Sequence, residues 1–258
     1  MISIMVILPS FLSPVLKQSL VTSRSIICLK NLDNLGSITA LYIDDYSQYF
    51  PPPGWDGSKP QREVRKHIDY GITWDDRLSD YDDRELSLAS KQEIQLGTQN
   101  MDVNHSAYQI YVCPEDDIAR TNNYLDDASA PRTYAINGNG TKYRGFLRET
   151  TETAIGSGGF SVRIDEIDDT QGTIYLAELP SKHTKMGTYT LPNIRIPRES
   201  MRYYPDGRTG LHGALKGSYL FTDGHALLLS MPDTVSSSHY FFNSGWKAGD
   251  KMWTRQYD

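Results

Sequence analysis

His212, Asp223 and His225, with Glu178 upstream, are the residues here whose types could do chemistry. Imidazole and carboxylate together suit zinc, so the four form a candidate metal cluster and the seed of a metal-dependent hydrolase. Their spacing is that of no zinc motif, and such groups without a structural context are weak signals. The competing reading is structural. Asp223 accepts backbone donors at an Asp-Gly turn while His212 braces a neighbouring loop. Other chemistries find less support. No Gly-x-Ser-x-Gly occurs, and residues 156–159 (GSGG) precede no apolar helix. Gly138-x-Gly140 has no βαβ context, so phosphate binding is not expected. Neither an enzymatic activity nor a bound cofactor is expected.

The elements that must position these residues divide unequally. Residues 1–16 (MISIMVILPSFLSPVL) carry no charge, and the stretch from Lys17 to Tyr46 reads as helix. Within it Cys28, Leu32, Leu35, Ile38, Tyr42 and Tyr46 recur at steps of three and four, a single stripe. Asp44, Asp45 and Pro51-Pro52-Pro53 end it. A span of about 45 residues would reach nearly 70 Å if continuous. The uncharged run stops at Lys17, short of the roughly 20 apolar residues of a membrane span. It reads as the back part of a longer hydrophobic helix, with a cleaved signal peptide as the rival.

After Phe50 the chain is polar and turn-rich. Trp74 to Leu88 reads as a short helical segment with Trp74, Leu78 and Tyr81 on one side. Strands are expected at Gln109–Cys113, Arg132–Asn137, Ile164–Ile167, Thr173–Leu179 and Gly217–Leu229, the last broken by an Asp223-Gly224 hairpin turn. The runs Asp75–Asp83, Glu115–Asp127 and Asp165–Asp169 read as solvated acidic loops, since they lack the ordered spacing of a calcium loop. Trp55, Trp74, Trp246 and Trp253 with the tyrosines could line a binding platform for glycan or a surface partner, although such rings more often close a core edge. Asn139-Gly140-Thr141 spells a glycosylation sequon, relevant only in a eukaryotic secretory compartment.

Composition narrows the classes. The 258 residues carry a formal net charge of −6, with 17 Tyr against 7 Phe. The sequence pI is about 5.5 and the mean hydropathy −0.50. An acidic chain is a poor nucleic-acid binder. Tyrosine supplies an apolar ring with a hydroxyl, suited to strands and partly exposed contacts.

Taken in order, these segments resemble bacterial prepilin-type proteins related to the major pseudopilin of type II secretion. More narrowly, they are similar to a group with a C-terminal His followed, after a fixed gap, by Asp-Gly, here His212, Asp223 and Gly224. The stem from Ile7 to Pro52, with Leu-x-Pro-x-Leu at Leu12–Leu16, resembles that family's helix. Cys28 opens a similar Cys-Leu-x-Asn-Leu run. Trp74, Tyr81, Val112-Cys113-Pro114, Arg132–Asn137, Thr173–Pro180 and His212–His225 follow in order. Two departures stand out. The Phe-Thr-Leu-Ile-Glu cleavage and methylation signature is not in the sequence, and the ten residues between His212 and Asp223 are one more than the family's pattern.

The resemblance implies an α+β, pilin-like fold, with a long N-terminal helix packed on an antiparallel β-sheet head with long loops. Residues 1–50 form the stem and 51–258 the head. It implies a structural subunit of a pseudopilus or type IV pilus-like envelope assembly, for example in type II protein secretion. The partners would be other pilin-like subunits and secretion machinery. The chain would sit in a bacterial inner membrane by its single N-terminal helix, head outside the cytoplasm. Ile2, Ile4, Val6, Ile7, Leu8, Phe11, Leu12, Val15, Leu16 and Leu20 would carry membrane residence and assembly. The alternative is an anchored or secreted extracytoplasmic binding module. Similar heads can hold calcium in a C-terminal loop. Cys28 and Cys113 lie in the family-like segments and could staple stem to head in an oxidising compartment. Two buried thiols remain the other possibility, since pairing does not follow from sequence.

Overall fold

The computed structural model describes residues 2–54, 72–91, 106–120, 130–138, 155–157, 160–179, 181, 183–187, 193–194, 210–213, 215–234 and 251–253. The side chains of the first helix are described at Leu16 and from Gln18 onward. Side chains of Ile2 to Val15, as well as Trp55, Trp246 and the sequon, lie outside the described residues.

Helix α1 runs from Ile2 to Asp45, 44 residues, or about 66 Å at 1.5 Å per residue. Its inner face is Ser25, Cys28, Leu32, Leu35, Thr39 and Tyr42, all buried, alternating three and four apart as one helical stripe requires. Ile38 packs at its border. Tyr46 is a correction to the expected stripe. It lies beyond the helix end, exposed, with its ring stacked on Tyr42 at 4.1 Å. Ser47 and Gln48 then take positive φ, and the Gln48 N–H donates to Ile43 O at 2.9 Å, which closes the helix before the prolines.

The head centres on a five-stranded sheet in the order β5-β1-β4-β6-β7. Its strands are β1 (Tyr134–Asn137), β4 (Ile174–Glu178), β5 (Asn193–Ile194), β6 (Lys216–Phe221) and β7 (Ala226–Ser230), while β2 (Gly156–Ser157) and β3 (Phe160–Ser161) form a separate ribbon. Along β1, β4, β6 and β7 each strand is antiparallel to its neighbour, and β5 joins β1 in parallel. The architecture is α+β.

The sheet is covered on both faces, and alternation sorts its side chains. Tyr134, Ile136, Leu176 and Leu220 face α1 in one core, with Cys28, Leu32 and Leu35. Ala135, Ala177, Tyr219 and Phe221 face the other way, around Trp253. A register shift between Ile174 and Leu176 puts both Tyr175 and Leu176 on the helix side. Trp253 donates from Nε1 to Thr234 Oγ1 at 2.9 Å and meets Tyr219 edge-on at 6.0 Å.

Several expected elements differ. Ser106–Gln109 is a helical turn, and Tyr111 and Val112 bond back to Tyr108 and Gln109, so no strand forms at 109–113. Cys113 fastened to α1 makes this segment a corner, not a ladder. Ile164–Glu166 is a 3-10 turn. The Trp74 segment is helical through Arg77, continues as a 3-10 turn over Leu78–Asp80, and then leaves the helix.

The run Asp75–Asp83 corrects the expectation of a solvated loop, because Asp75, Asp76 and Asp82 are buried. Arg132 bonds to Asp75, whose other oxygen accepts Gly187 N–H at 2.6 Å. Arg84 Nε reaches both oxygens of Asp82 at 2.9 and 2.8 Å, and Tyr111 Oη donates to the same carboxylate at 2.5 Å. The Arg132 guanidinium lies over Trp74, and that of Arg84 over Tyr111. Three carboxylates thus share two guanidiniums. Asp76 comes off worst: burial, then the Asp75 charge, push its carboxyl up to about 7 against the pull of Arg84.

Two outcomes follow from this packing. A carboxyl held above its unfolded value stabilises fully below that value and loses the contribution as pH rises through about 7. Urea midpoints of the wild type should therefore fall relative to those of Asp76→Asn between about pH 5 and about pH 8. At Gly36 on α1, an added Cβ would stand 2.8 Å from Gly224 O and 3.1 Å from a Leu220 methyl. Gly36→Val should lower stability by about 1–3 kcal/mol by overpacking, visible as a lower midpoint in the same titration.

Candidate functional site

Where α1 meets the sheet, four chain segments converge on one imidazole. Helix α1 brings Ser25 and Cys28, three apart on its inner face. The corner after Ser106–Gln109 brings Cys113, whose N–H donates to Thr133 Oγ1 at 3.0 Å. Glu178 ends β4 opposite Tyr134, and Ser218 lies on β6. His212 comes from the tight turn before β6. There Lys216 N–H donates to Gly213 O at 2.8 Å. Gly210 sits at φ +88°, where a Cβ would stand 2.5 Å from Lys216 O. Only glycine fits that approach, and it turns the His212 ring inward.

Cys28 and Cys113 are joined as a disulfide, Cα to Cα 4.9 Å. His212 Nε2 lies 3.6 Å from Cys113 Sγ, 2.9 Å from Glu178 Oε1 and 3.1 Å from Ser218 Oγ. Its Nδ1 lies 2.9 Å from Ser25 Oγ. Ser25 Oγ donates to Val21 O at 2.9 Å, so it accepts from Nδ1–H. An ionised Glu178 only accepts, so Nε2 also donates and the ring is an imidazolium paired with a carboxylate. Burial works against that charge, but the Glu178 hydrogen bond and charge, aided by Glu115, outweigh it and raise the His212 pKa.

Polar bonds extend this junction along α1. Asn31 Nδ2 donates to Gln109 O at 3.1 Å and Val112 O at 2.9 Å. Tyr134 Oη donates to Cys28 O at 3.4 Å, and Arg24 lies 3.7 Å from Glu115. The helix is therefore held by a covalent bond, the Ser25–His212 hydrogen bond and the Asn31 amide on two backbone carbonyls within two turns.

The four-residue metal set of His212, Asp223, His225 and Glu178 does not assemble. His212 and Glu178 meet at one end of β6, whereas Asp223 and His225 occupy the hairpin at its other end. There Asp223 Oδ1 accepts from the His225 backbone N–H at 3.1 Å and pairs with its Nδ1 at 2.6 Å, while the imidazole stacks on Phe221 at 4.3 Å. Gly224 takes φ +94°. Asp223 thus accepts turn donors and His212 braces a loop.

Both ends of β6 touch the same helix, His212 at Ser25 and Gly224 at Gly36. The eleven-residue separation of those points on α1 is about 16 Å, matching the five steps of the six-residue β6 at about 3.3 Å each. The gap from His212 to Asp223-Gly224 is the strand needed to reach both.

Trp74 and Trp253 are fully buried, which removes them from a surface binding platform. Ser25 and Ser218 were not discernible as site residues. The only sequence signal for Ser25 is its position three residues before Cys28. Among the described residues no helix is long and apolar enough to cross a membrane. The chain matches no protein-family model, no curated protein and no solved structure.

Closing an 85-residue separation stabilises by about 4–5 kcal/mol in the chain-entropy treatment. Cys113→Ser should lower the stability by an amount of that order, read from denaturant titrations with and without a phosphine reductant. The reductant should then have no further effect on the variant.

Proposed function

We propose that this chain is a non-enzymatic structural subunit of a pilin-like envelope assembly, in which α1 is the assembly stem and the sheet domain sets subunit contacts. One observation carries the reading: among the described side chains, the contacts of α1 with the head begin at about Arg24, while apolar side chains before and beside that point face solvent. Leu16 is 59 % exposed and Leu20 57 %, with Val21 also outward, and next to the attachment Ile26 is 61 % exposed. Apolar surface on this scale favours burial against lipid or a second helix. The ordered resemblance of its segments to prepilin-type proteins supports the same role. So does the disulfide, which belongs to an oxidising compartment such as the bacterial envelope.

In this role the junction has a mechanical duty. Force or packing applied to the stem enters the head through Cys28, Asn31 and the hydrogen bond of Ser25 to His212. The uncharged run over residues 1–16, with Leu20, would serve both membrane residence before assembly and helix bundling within a fibre. Calcium is not part of the proposal.

The test is fractionation of the full chain and of a deletion of residues 2–20, both expressed for export into a bacterial envelope. The full chain should sediment with membranes or as multimers, and the deletion should move to the soluble fraction as a monomer. A non-reducing gel showing the Cys28–Cys113 bond in both confirms that the head is intact. Equal, monomeric and soluble behaviour of the two forms would overturn the proposal.

A further inference from the structure

The junction holds more donor chemistry than a clamp requires. The ligand atoms of Cys28, Cys113, Glu178 and His212 all lie within 4.8 Å of one another, and all four residues are buried. Zinc in a four-coordinate shell takes sulfur at about 2.3 Å and imidazole nitrogen or carboxylate oxygen at about 2.0–2.2 Å. Atoms around such an ion stand about 3.3–3.8 Å from one another. The existing separations of 2.9 Å from Nε2 to Glu178 and 3.6 Å from Nε2 to Cys113 Sγ need adjustments of a few tenths of an ångström. The sulfurs need to part once their bond is cut.

From this geometry we propose that the reduced chain binds one zinc ion through Cys28, Cys113, His212 and Glu178, in place of the disulfide. Two thiolates, an imidazole and a carboxylate in a closed pocket select a tetrahedral, borderline-soft ion. The imidazole is already aimed. Nδ1–H donates to Ser25 Oγ, whose own hydrogen goes to Val21 O, so the nitrogen turned toward the sulfurs and Glu178 is Nε2. A metal-bound imidazole is held in this way, with its far nitrogen tied to the protein. Ser218 Oγ, 3.1 Å from Nε2, borders the same space.

The chemistry balances with a dithiol as the reductant. It transfers two electrons and two protons to the Cys28–Cys113 bond, giving two protein thiols and leaving as its own cyclic disulfide. Zinc then displaces the two thiol protons and the Nε2 proton, which pass to solvent. The oxidised chain cannot bind this way, since a disulfide supplies no thiolate. Stem and head would thus stay joined in both redox states, by a covalent bond in one and by an ion in the other. This proposal does not depend on the assembly role.

The experiment uses the full chain, reduced with a phosphine and titrated with cobalt(II) alone, then with zinc(II) alone. The reduced chain should bind one cobalt with thiolate-to-metal charge transfer and the visible bands of a tetrahedral site, and zinc should bleach both. The disulfide form should show neither. Glu178→Gln and His212→Ala should each weaken zinc by at least about tenfold, the lower end for groups that only support a ligand. If the reduced chain unfolds without metal, zinc should restore its near-ultraviolet circular dichroism, and should fail to do so in His212→Ala. The proposal is overturned if the reduced chain shows no thiolate–cobalt band, if the band and affinity survive in His212→Ala, or if zinc restores no structure to a reduced chain that has unfolded.

Discussion

The structure depends on fastening a long helix to a sheet at a site from which water is excluded. Cys28 and Cys113 make the attachment covalent, and the His212–Glu178 pair fills the space beside them. A buried ion pair is a poor source of net stability, because desolvation offsets much of the attraction. Its value here is directional. The ring is bonded at both nitrogens, so His212 can sit in one orientation only, and the turn from Gly210 to Gly213 must close in one way. That fixes where β6 begins, and β6 holds β4 on one side and β7 on the other.

A second desolvated cluster, around Asp75, Asp76, Asp82, Arg84 and Arg132, does for the Trp74 segment what the junction does for the stem. Tyr111 belongs to it through Asp82, and Tyr111 lies two residues before Cys113. Thr133, next to Arg132, bonds Cys113. The charge cluster and the disulfide therefore share one short stretch of chain. A corner with so many fixed partners cannot also join a ladder, which is the physical reason why 109–113 is not a strand.

The two faces of the sheet divide the labour. One receives α1, with Gly36 allowing the helix to approach Gly224 O closely; the other is closed by Trp253 and Tyr219. With both faces covered, Leu16, Leu20, Val21, Ile26 and Ile27 make α1 the main carrier of exposed large apolar side chains among the described residues, while Leu41, Leu88 and Leu227 stand singly.

Much of this was legible in the residues. The three-and-four spacing from Cys28 to Tyr42 marked the inner face of α1, alternation marked β1, strand-like runs marked β4 and β6, and Asp223-Gly224 marked the hairpin, because each is a local pattern or a local backbone demand. Other features were not legible. Asp75 and Asp76 read as solvated because a carboxylate's fate depends on whether a guanidinium arrives, and Arg132 arrives from more than fifty residues away. The grouping of His212, Asp223 and His225 failed because nearness in sequence says nothing about which end of a strand a side chain occupies. By itself the sequence determined the helix, the alternating strands and the stock of cysteines, histidines and acids. Only tertiary structure decided that Cys28, Cys113, His212 and Glu178 would meet, since four groups spread over 185 residues come together through the closing of the fold and not through any local pattern.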